Sequence, residues 1–507
     1  MEKLKKFFKQ RENQLLVLVL IVALAIRLYF FFKTYNQALW WDEADYMSIA
    51  KHYGFGTPEI AAPWRARGMS LIFGVFYFFG ANEIVQRLVV IAFSVATVWL
   101  TYLLGKEFYN RKVALIASCF MSVLWTHLFW TTRFSGEVFA LVFFGFACLF
   151  FWRGYVKNKS KWYMIACGGL IAYGIFLYES VGAIFVFLAG YLLVTERLAF
   201  LKNKQFWWGM LGLILILIPV FWHYYDLYGQ IYPRAYHVLE GSLSQGTELD
   251  QKLATQGGWS VFITAFSFIY EAKAYLLWTL LILTVIGLWY YIDLILGFDM
   301  LVKKKEPRLQ KDFYVLWWAL CILLIFGAYL AVTNAYFEER YIFPAYPLLF
   351  IIAARGLIGI ADMAEKYKKH LGILAIIFVI IIAGYEQLTL ANAVIDYKKS
   401  SFSQERPAGE WLKEHTESGD ILLACSQVVP LLYYSEREAI TYRYNTTEVD
   451  QQILDMNVKY LVVDLYHPDC NVNYAMEREA SGNLTLEKAY TEGESLAILI
   501  YKTKGYE

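Results

Sequence analysis

A lipid bilayer offers no water to a bare backbone, so an apolar run of about 20 residues is driven to satisfy its own N–H and C=O groups as a helix. This chain contains about eleven such runs: residues 15–35, 84–104, 113–130, 138–152, 162–177, 181–194, 206–224, 272–296, 313–332, 343–360 and 371–390. The composition follows. Hydrophobic residues make up 59% of the 507 and charged residues 18%, against about 45–50% and 25% in soluble domains. Disorder, collagen and a disulfide miniprotein are excluded. A net charge of +2 supplies no basic field, so no nucleic-acid partner is expected. The expectation is a polytopic α-helical membrane protein whose first partner is the bilayer itself.

Charge bias sets the expected orientation. With the N-terminus cytoplasmic, the inner loops read KEFYNRK, RGYVKNKSK, ERLAFLKNKQ, LVKKKEPRLQKD and EKYKKH, all of them basic. The opposite loops are mixed or acidic. The basic start MEKLKKFFKQR lacks a small-residue cleavage site, so the first run reads as an uncleaved span. Residues 69–80 are apolar but too short to cross and read as a re-entrant or interfacial helix on the outer side.

The pattern changes near residue 395. Residues 1–395 read as the membrane domain, and 396–507 as an extracytoplasmic soluble α/β domain. Its predicted order is helix 405–415, strand 421–425, helix 429–435, strand 439–442, helix 449–456 and strand 459–464, with a partly parallel sheet. Cys119, Cys148, Cys167 and Cys321 lie in apolar runs and read as packing residues. Cys425 and Cys470 share the tail, where a disulfide and two buried thiols are both open. Two glycosylation sequons begin at Asn445 and Asn483, a pattern common by chance. The histidines show no His-x-x-x-His spacing of a metalloprotease zinc site.

Function concentrates in the charges that sit against the membrane. Trp40-Trp41-Asp42-Glu43-Ala44-Asp45 follows the first span and brings three carboxylates within four positions. Carboxylates so close repel, so at least one calls for a cation or a proton donor. Trp64-Arg65-Ala66-Arg67, Arg133-Phe134-Ser135-Gly136-Glu137 and Glu338-Glu339-Arg340-Tyr341 fall on the same expected outer face. Each alone is consistent with a surface ion pair or a snorkelling arginine. Arg27 and Arg87 lie within spans, each suited to a polar cleft or a carboxylate partner. Acids and arginines gathered at one interface suit an amphipathic, anionic substrate. Arginine grips phosphate through paired N–H groups, and a carboxylate can take a hydroxyl proton. The residues themselves reach as far as lipid-phosphate chemistry at the outer face.

The arrangement resembles the type-C glycosyltransferase fold, and in particular the superfamily of protein O-mannosyltransferases and lipid A aminoarabinose transferases. The resemblance covers roughly the first three quarters of the chain. It is carried by Ala25-Ile26-Arg27-Leu28, Asp42-Glu43, Gln86-Arg87-Leu88 with Thr101-Tyr102-Leu103-Leu104-Gly105, Thr132-Arg133 with Glu137, and Arg340-Tyr341-Ile342-Phe343-Pro344 with Pro347. It implies a polyprenyl-phosphate sugar donor (dolichyl or undecaprenyl) and inverting transfer to a hydroxyl of a protein, lipid or glycan acceptor. It implies Asp42 as the catalytic base, with Glu43 beside it. Arg340, Arg65, Arg67, Arg133 and Tyr341 are implied as phosphate- or substrate-binding groups. Glu137 and Glu43 are implied to position substrate or a divalent cation, Mg or Mn, whose requirement stays open. The chain departs from the family in carrying Glu137 where many members have Asp, and Tyr178-Glu179-Ser180 where a lysine is usual.

Two other functions remain on the table. A lipid-linked oligosaccharide ligase or oligosaccharyltransferase would move a whole glycan. Trp40-Trp41-Asp42 is superficially similar to the Trp-Trp-Asp motif of oligosaccharyltransferases, which lies in their soluble tail. A multi-pass secondary transporter would show inverted repeats and a midplane site, and the sequence has no internal repeat.

Overall fold

The computed structural model describes residues 10–59, 61, 63, 65–233, 257–302, 306–333, 336–424, 428–441, 446–467, 470 and 472–504. It falls into two compact units. One comprises residues 1–32 and 87–395; the other comprises 33–86 and 396–507.

The first unit is helical. Among the described residues of the whole chain, nine helices are long and apolar enough to cross a membrane. A tenth is a bent pair, Arg111–Val123 and Trp125–Thr131, broken by 56°. The remaining expected span, Lys161–Leu177, has 17 residues, about 25 Å of helix. Each of the eleven apolar runs is therefore a helix, and the count differs only where a run is short or bent. The protein is a multi-pass membrane protein. Helix crossings are set by glycine: a Cβ on Gly168 would lie 1.9 Å from the carbonyl oxygen of Gly209, and one on Gly212 would lie 2.0 Å from that of Ile165. Lys161–Leu177 and Lys204–Tyr228 thus meet backbone to backbone, the small-residue packing that stands in for a hydrophobic drive within lipid.

Among the described residues, two of the breaks within spans have their exposed backbone groups repaired by side chains. At the Leu124 bend, the Trp125 N–H donates to Gln387 Oε1 at 2.9 Å. The Ser122 carbonyl, near the end of the preceding helix, accepts from Arg27 Nη1 at 3.1 Å. The second break is at Leu277, whose φ of 57° is a strained, left-handed value for leucine. There the Leu276 carbonyl accepts from Gln387 Nε2 at 3.0 Å, and the Thr279 N–H donates to Glu386 Oε2 at 3.2 Å. One buried glutamine therefore closes both breaks. Arg27 also donates to Ser94 Oγ at 2.6 Å and to the Ala23 carbonyl at 3.0 Å, and lies 3.2 Å from His127 Nδ1. Among the described residues these are neutral partners, so of the two settings expected from sequence it is the polar cleft that Arg27 occupies.

In the second unit, residues 33–86 carry the helices Trp41–Phe55 and Gly68–Phe78. The latter is the expected short apolar helix. The tail holds a five-stranded sheet in the order β2-β1-β3-β5-β4: β1 (Ile421–Ala424), β2 (Glu438–Thr441), β3 (Tyr460–Asp464), β4 (Leu484–Glu492) and β5 (Ser495–Thr503). β1 pairs parallel with β2 and β3, while β5 pairs antiparallel with β3 and β4. β3 is central and buried on both faces, which explains its unbroken apolar run. Leu461 and Val463 face Val449, Tyr474 and Ala475; Tyr460 and Val462 face Ala408, Leu412 and Leu431.

The expected helices and strands of the tail are present, with the third helix at Thr446–Asp455. Helix Val472–Ala480 and the β4–β5 hairpin went unread. Gly493, at φ 63°, makes the tight turn that lets Glu492 pair with Ser495. Cys470 is disulfide-bonded; Cys425 and Asn445 lie outside the described residues. Within this unit the Leu39 N–H donates to the Tyr434 hydroxyl at 3.0 Å, Lys51 pairs with Glu436 at 2.9 Å and Arg406 pairs with Glu83 at 2.7 Å.

Replacing Gln387 by Leu should orphan one N–H and one C=O at two broken spans, at about 1–3 kcal/mol each. Thermal unfolding in detergent should show a clearly lowered midpoint; an unchanged midpoint would remove Gln387 as the common tie.

Candidate functional site

Each unit carries one cluster of the sequence-derived site residues. In the second unit the cluster is built on the start of helix Trp41–Phe55. The sequence Trp40-x-x-Glu43 places a carboxylate three positions after the N-cap, and Glu43 Oε2 accepts the Trp40 N–H at 2.7 Å. Glu43 is buried by this role. Asp42 also benefits from the positive helix end, but its side chain is 45% exposed. Asp45, one turn on, is only 4% exposed. Arg65 ties the two together: its Nη2 lies 3.1 Å from Asp42 Oδ1 and also donates to Asp45 Oδ2. This is the cation that the crowded carboxylates called for. Burial pushes the Asp45 carboxyl up to about 6; Arg65 opposes the rise and Asp42 adds to it.

Arg67 is placed differently from the expectation. It is fully buried, its two terminal nitrogens grip the two oxygens of Glu59, and Nη1 also donates to the Tyr53 hydroxyl at 3.1 Å. Its fork is filled by protein, which suits holding the loop rather than binding phosphate. Trp64 lies outside the described residues.

In the first unit the cluster centres on Glu137, in the first turn of helix Gly136–Phe151. Oε2 accepts the Ser135 hydroxyl at 2.6 Å. Oε1 accepts the Tyr178 hydroxyl at 2.8 Å and lies 3.2 Å from Arg340 Nε. Arg340 also pairs with Glu338 and stacks over Trp130, its guanidinium carbon 4.4 Å from the ring centre. Tyr178 reaches this position because Gly136 has no side chain; a Cβ there would lie 2.8 Å from the tyrosine ring. Arg87 steadies the same turn by donating to the Thr132 carbonyl at 2.9 Å and lying over the Phe134 ring. Arg133 is buried in that turn. Tyr341 stacks on Phe326 with ring centres 6.1 Å apart.

The structure thus joins Asp42 to Arg65 and Glu137 to Arg340, gives Glu43 a capping role and turns Arg67 aside. Asp45 and Tyr178 are the additions. Asp45 was legible as one turn from Asp42; no pattern marked Tyr178 as a partner of Glu137.

The donors around Glu137 bear on a divalent cation. Both of its oxygens already receive protein hydrogen bonds, and Arg340 balances its charge. A cation there would have to displace the arginine, and Glu43 has one oxygen committed to its helix start. Both residues are thus already engaged within the protein. Among the described residues, a group of possible ligands exists elsewhere: Glu405, Asp464 and His467.

The family model described as dolichyl-phosphate-mannose-protein mannosyltransferase matches residues 61–223, about a third of the chain. That stretch holds Arg65, Arg133, Glu137 and Tyr178. ArnT from Cupriavidus metallidurans, solved bound to undecaprenyl phosphate, superposes with a TM-score of 0.61 at 12% identity, covering 96% of this chain and 97% of that one. The chain carries the type-C glycosyltransferase fold. The apo oligosaccharyltransferase of Archaeoglobus fulgidus gives 0.61 at 12% identity, covering 99% of this chain and 75% of that one. That oligosaccharyltransferase is also solved in a complex with Zn and sulfate. The arabinofuranosyltransferase AftD from Mycobacteria gives 0.54 at 12% identity, covering 96% and 40%. No curated protein matches by sequence. The resemblance read from the motifs is therefore met by both the family match and the fold.

Asp45 offers a pH test. Its folded value of about 6 lies above the ordinary 3.8, so between those values the folded state holds more protons than the unfolded one. Its contribution is most favourable on the acid side and falls as pH rises, by roughly 3 kcal/mol at neutral pH. The midpoint of Asp45→Asn relative to wild type should therefore climb between pH 4 and pH 7. A constant difference across a pH series of melting curves would refute the shifted carboxyl.

Proposed function

We propose that this protein is an integral-membrane inverting glycosyltransferase. In this reading it moves a sugar from a polyprenyl-phosphate donor, dolichyl- or undecaprenyl-linked, to an acceptor hydroxyl on the extracytoplasmic side. The observation that carries the proposal is Asp42: a half-exposed carboxylate at a helix start, held by Arg65 and followed by a second acid. Asp42 accepts the proton of the acceptor hydroxyl. The hydroxyl oxygen attacks the anomeric carbon as the bond from that carbon to the phosphate oxygen breaks. The electron pair leaves with the polyprenyl phosphate, so no covalent enzyme intermediate is needed. The growing phosphate charge is met by guanidinium, with Arg340 as the leading candidate and Arg65 beside the base. Glu137, Tyr178 and Trp130 fix the direction in which Arg340 points.

The family match and the fold support this reading, as do one solved relative bound to undecaprenyl phosphate and another in complex with a dolichol-phosphate. Transfer of a whole glycan is the second reading, favoured by the fold shared with the oligosaccharyltransferase. The mass of the product separates the two: one sugar or a complete oligosaccharide.

Asp42→Asn should abolish transfer from a polyprenyl-phosphate sugar, by at least a hundredfold, yet still bind undecaprenyl phosphate in native mass spectrometry. Full transfer by that variant would end its role as base. Arg340→Lys keeps the charge but loses the paired N–H geometry and should weaken undecaprenyl phosphate binding by about tenfold or more.

A further inference from the structure

The tail contains a buried acid that the proposed reaction does not use. Glu405 opens helix Glu405–His415 and is fully buried. Neither of its carboxylate oxygens has a hydrogen bond of good geometry among the described residues, the Leu431 backbone and Asp464 being the polar groups that act on it, and no lysine or arginine among them forms an ion pair with it. Its neighbours are Asp464, the last residue of β3 and also fully buried, and His467, whose side chain is 21% exposed. One ligand atom from each of the three lies within 4.8 Å of the others.

The surroundings orient these groups. Asp464 Oδ1 accepts the backbone N–H of Tyr466 at 3.0 Å, while Oδ2 lies 3.4 Å from His467 Nε2. The Tyr466 hydroxyl donates to Glu492 at 2.7 Å, pinning the turn. Two ligands of one tetrahedral zinc, each at about 2.1 Å, stand about 3.4 Å apart, the spacing of the Asp464–His467 pair.

We propose that Glu405, Asp464 and His467 form a divalent-cation site with one position open to water on the exposed His467 side. Two carboxylates neutralise the ion, and one imidazole selects a zinc-like ion over magnesium or calcium, which favour oxygen alone. The site is separate from the acids of the proposed reaction and does not depend on that reading. It ties together three parts of the second unit. Glu405 fixes the helix that also carries Arg406, the partner of Glu83. Asp464 fixes the central strand. The His467 ring meets the Trp41 ring edge-on at 5.3 Å, and Trp41 directly precedes Asp42. The bound ion orders the segment that presents the half-exposed carboxylate. Without an ion, burial and then the charge of Asp464 push the Glu405 carboxyl well above the usual range, and the two acids would have to share a proton.

The test uses the full-length protein in detergent, stripped with a chelator and given Zn2+ alone, with bound metal counted by mass spectrometry of the digested protein. Wild type should hold one more zinc per chain than either Glu405→Gln or His467→Gln, both of which conserve size. Zinc should raise the wild-type melting midpoint and leave the variants unmoved. Co2+ in place of zinc should give a visible absorption band that His467→Gln loses. Equal zinc content in wild type and both variants overturns the site. So does a Glu405→Gln variant that melts higher than metal-free wild type while wild type gains no zinc, since the two acids then simply share a proton.

Discussion

Inside an apolar span, a break in the helix exposes backbone groups that only protein can satisfy, and much of this fold rests on that constraint. Among the described residues, two such breaks lie at Leu124 and Leu277. Gln387 reaches both, giving its oxygen to one and its amide hydrogen to the other. Arg27 completes the first break by donating to the Ser122 carbonyl. The helix that follows this bend ends at Thr131, and the turn after it carries Arg133 and leads into Glu137. The direction of that turn is therefore set by polar side chains on two other spans. Arg27, read from sequence as suited to a polar cleft or a carboxylate partner, lies in a polar cleft and caps backbone, using three of its nitrogens on neutral partners.

The same reasoning sorts the acids. A carboxylate near a membrane is held at a cost unless something offsets its charge, and what offsets it decides what it can do. Glu43 is committed to a helix start. Glu137 is committed to a serine, a tyrosine and an arginine. Asp45 shares an arginine and is buried. Asp42 also touches Arg65 but keeps its side chain nearly half in the open, so of the four it offers a substrate the most access. A base must be reachable, which is why the proposal falls on Asp42.

Much of this was legible in the sequence because hydrophobic length and loop charge are one-dimensional signals. All eleven apolar runs became helices, the short apolar stretch near residue 70 stayed short, and the tail alternated helix and strand as its period foretold. What escaped depends on contacts far apart along the chain. Tyr178 meets Glu137 from 41 positions away, through space that only Gly136 leaves open. Arg67 looked equivalent to Arg65 two positions before it, yet Glu59 captures it. The β4–β5 hairpin was missed because β4 is an exposed edge strand with little apolar alternation; Gly493 was its one local mark. Glu405, Asp464 and His467 are spread over more than sixty positions with no metal-motif spacing, so only the folded sheet assembles them.

That assembly bears on why the C-terminal sheet domain and the loop after the first span form one compact unit. Asp42 stands on a 15-residue helix, too short to hold a direction in isolation. Its neighbours supply the stiffness: Tyr434 takes the Leu39 N–H, Glu436 takes Lys51, and His467 meets Trp41. All three come from the tail. The contacts make the tail a support for the segment that carries Asp42.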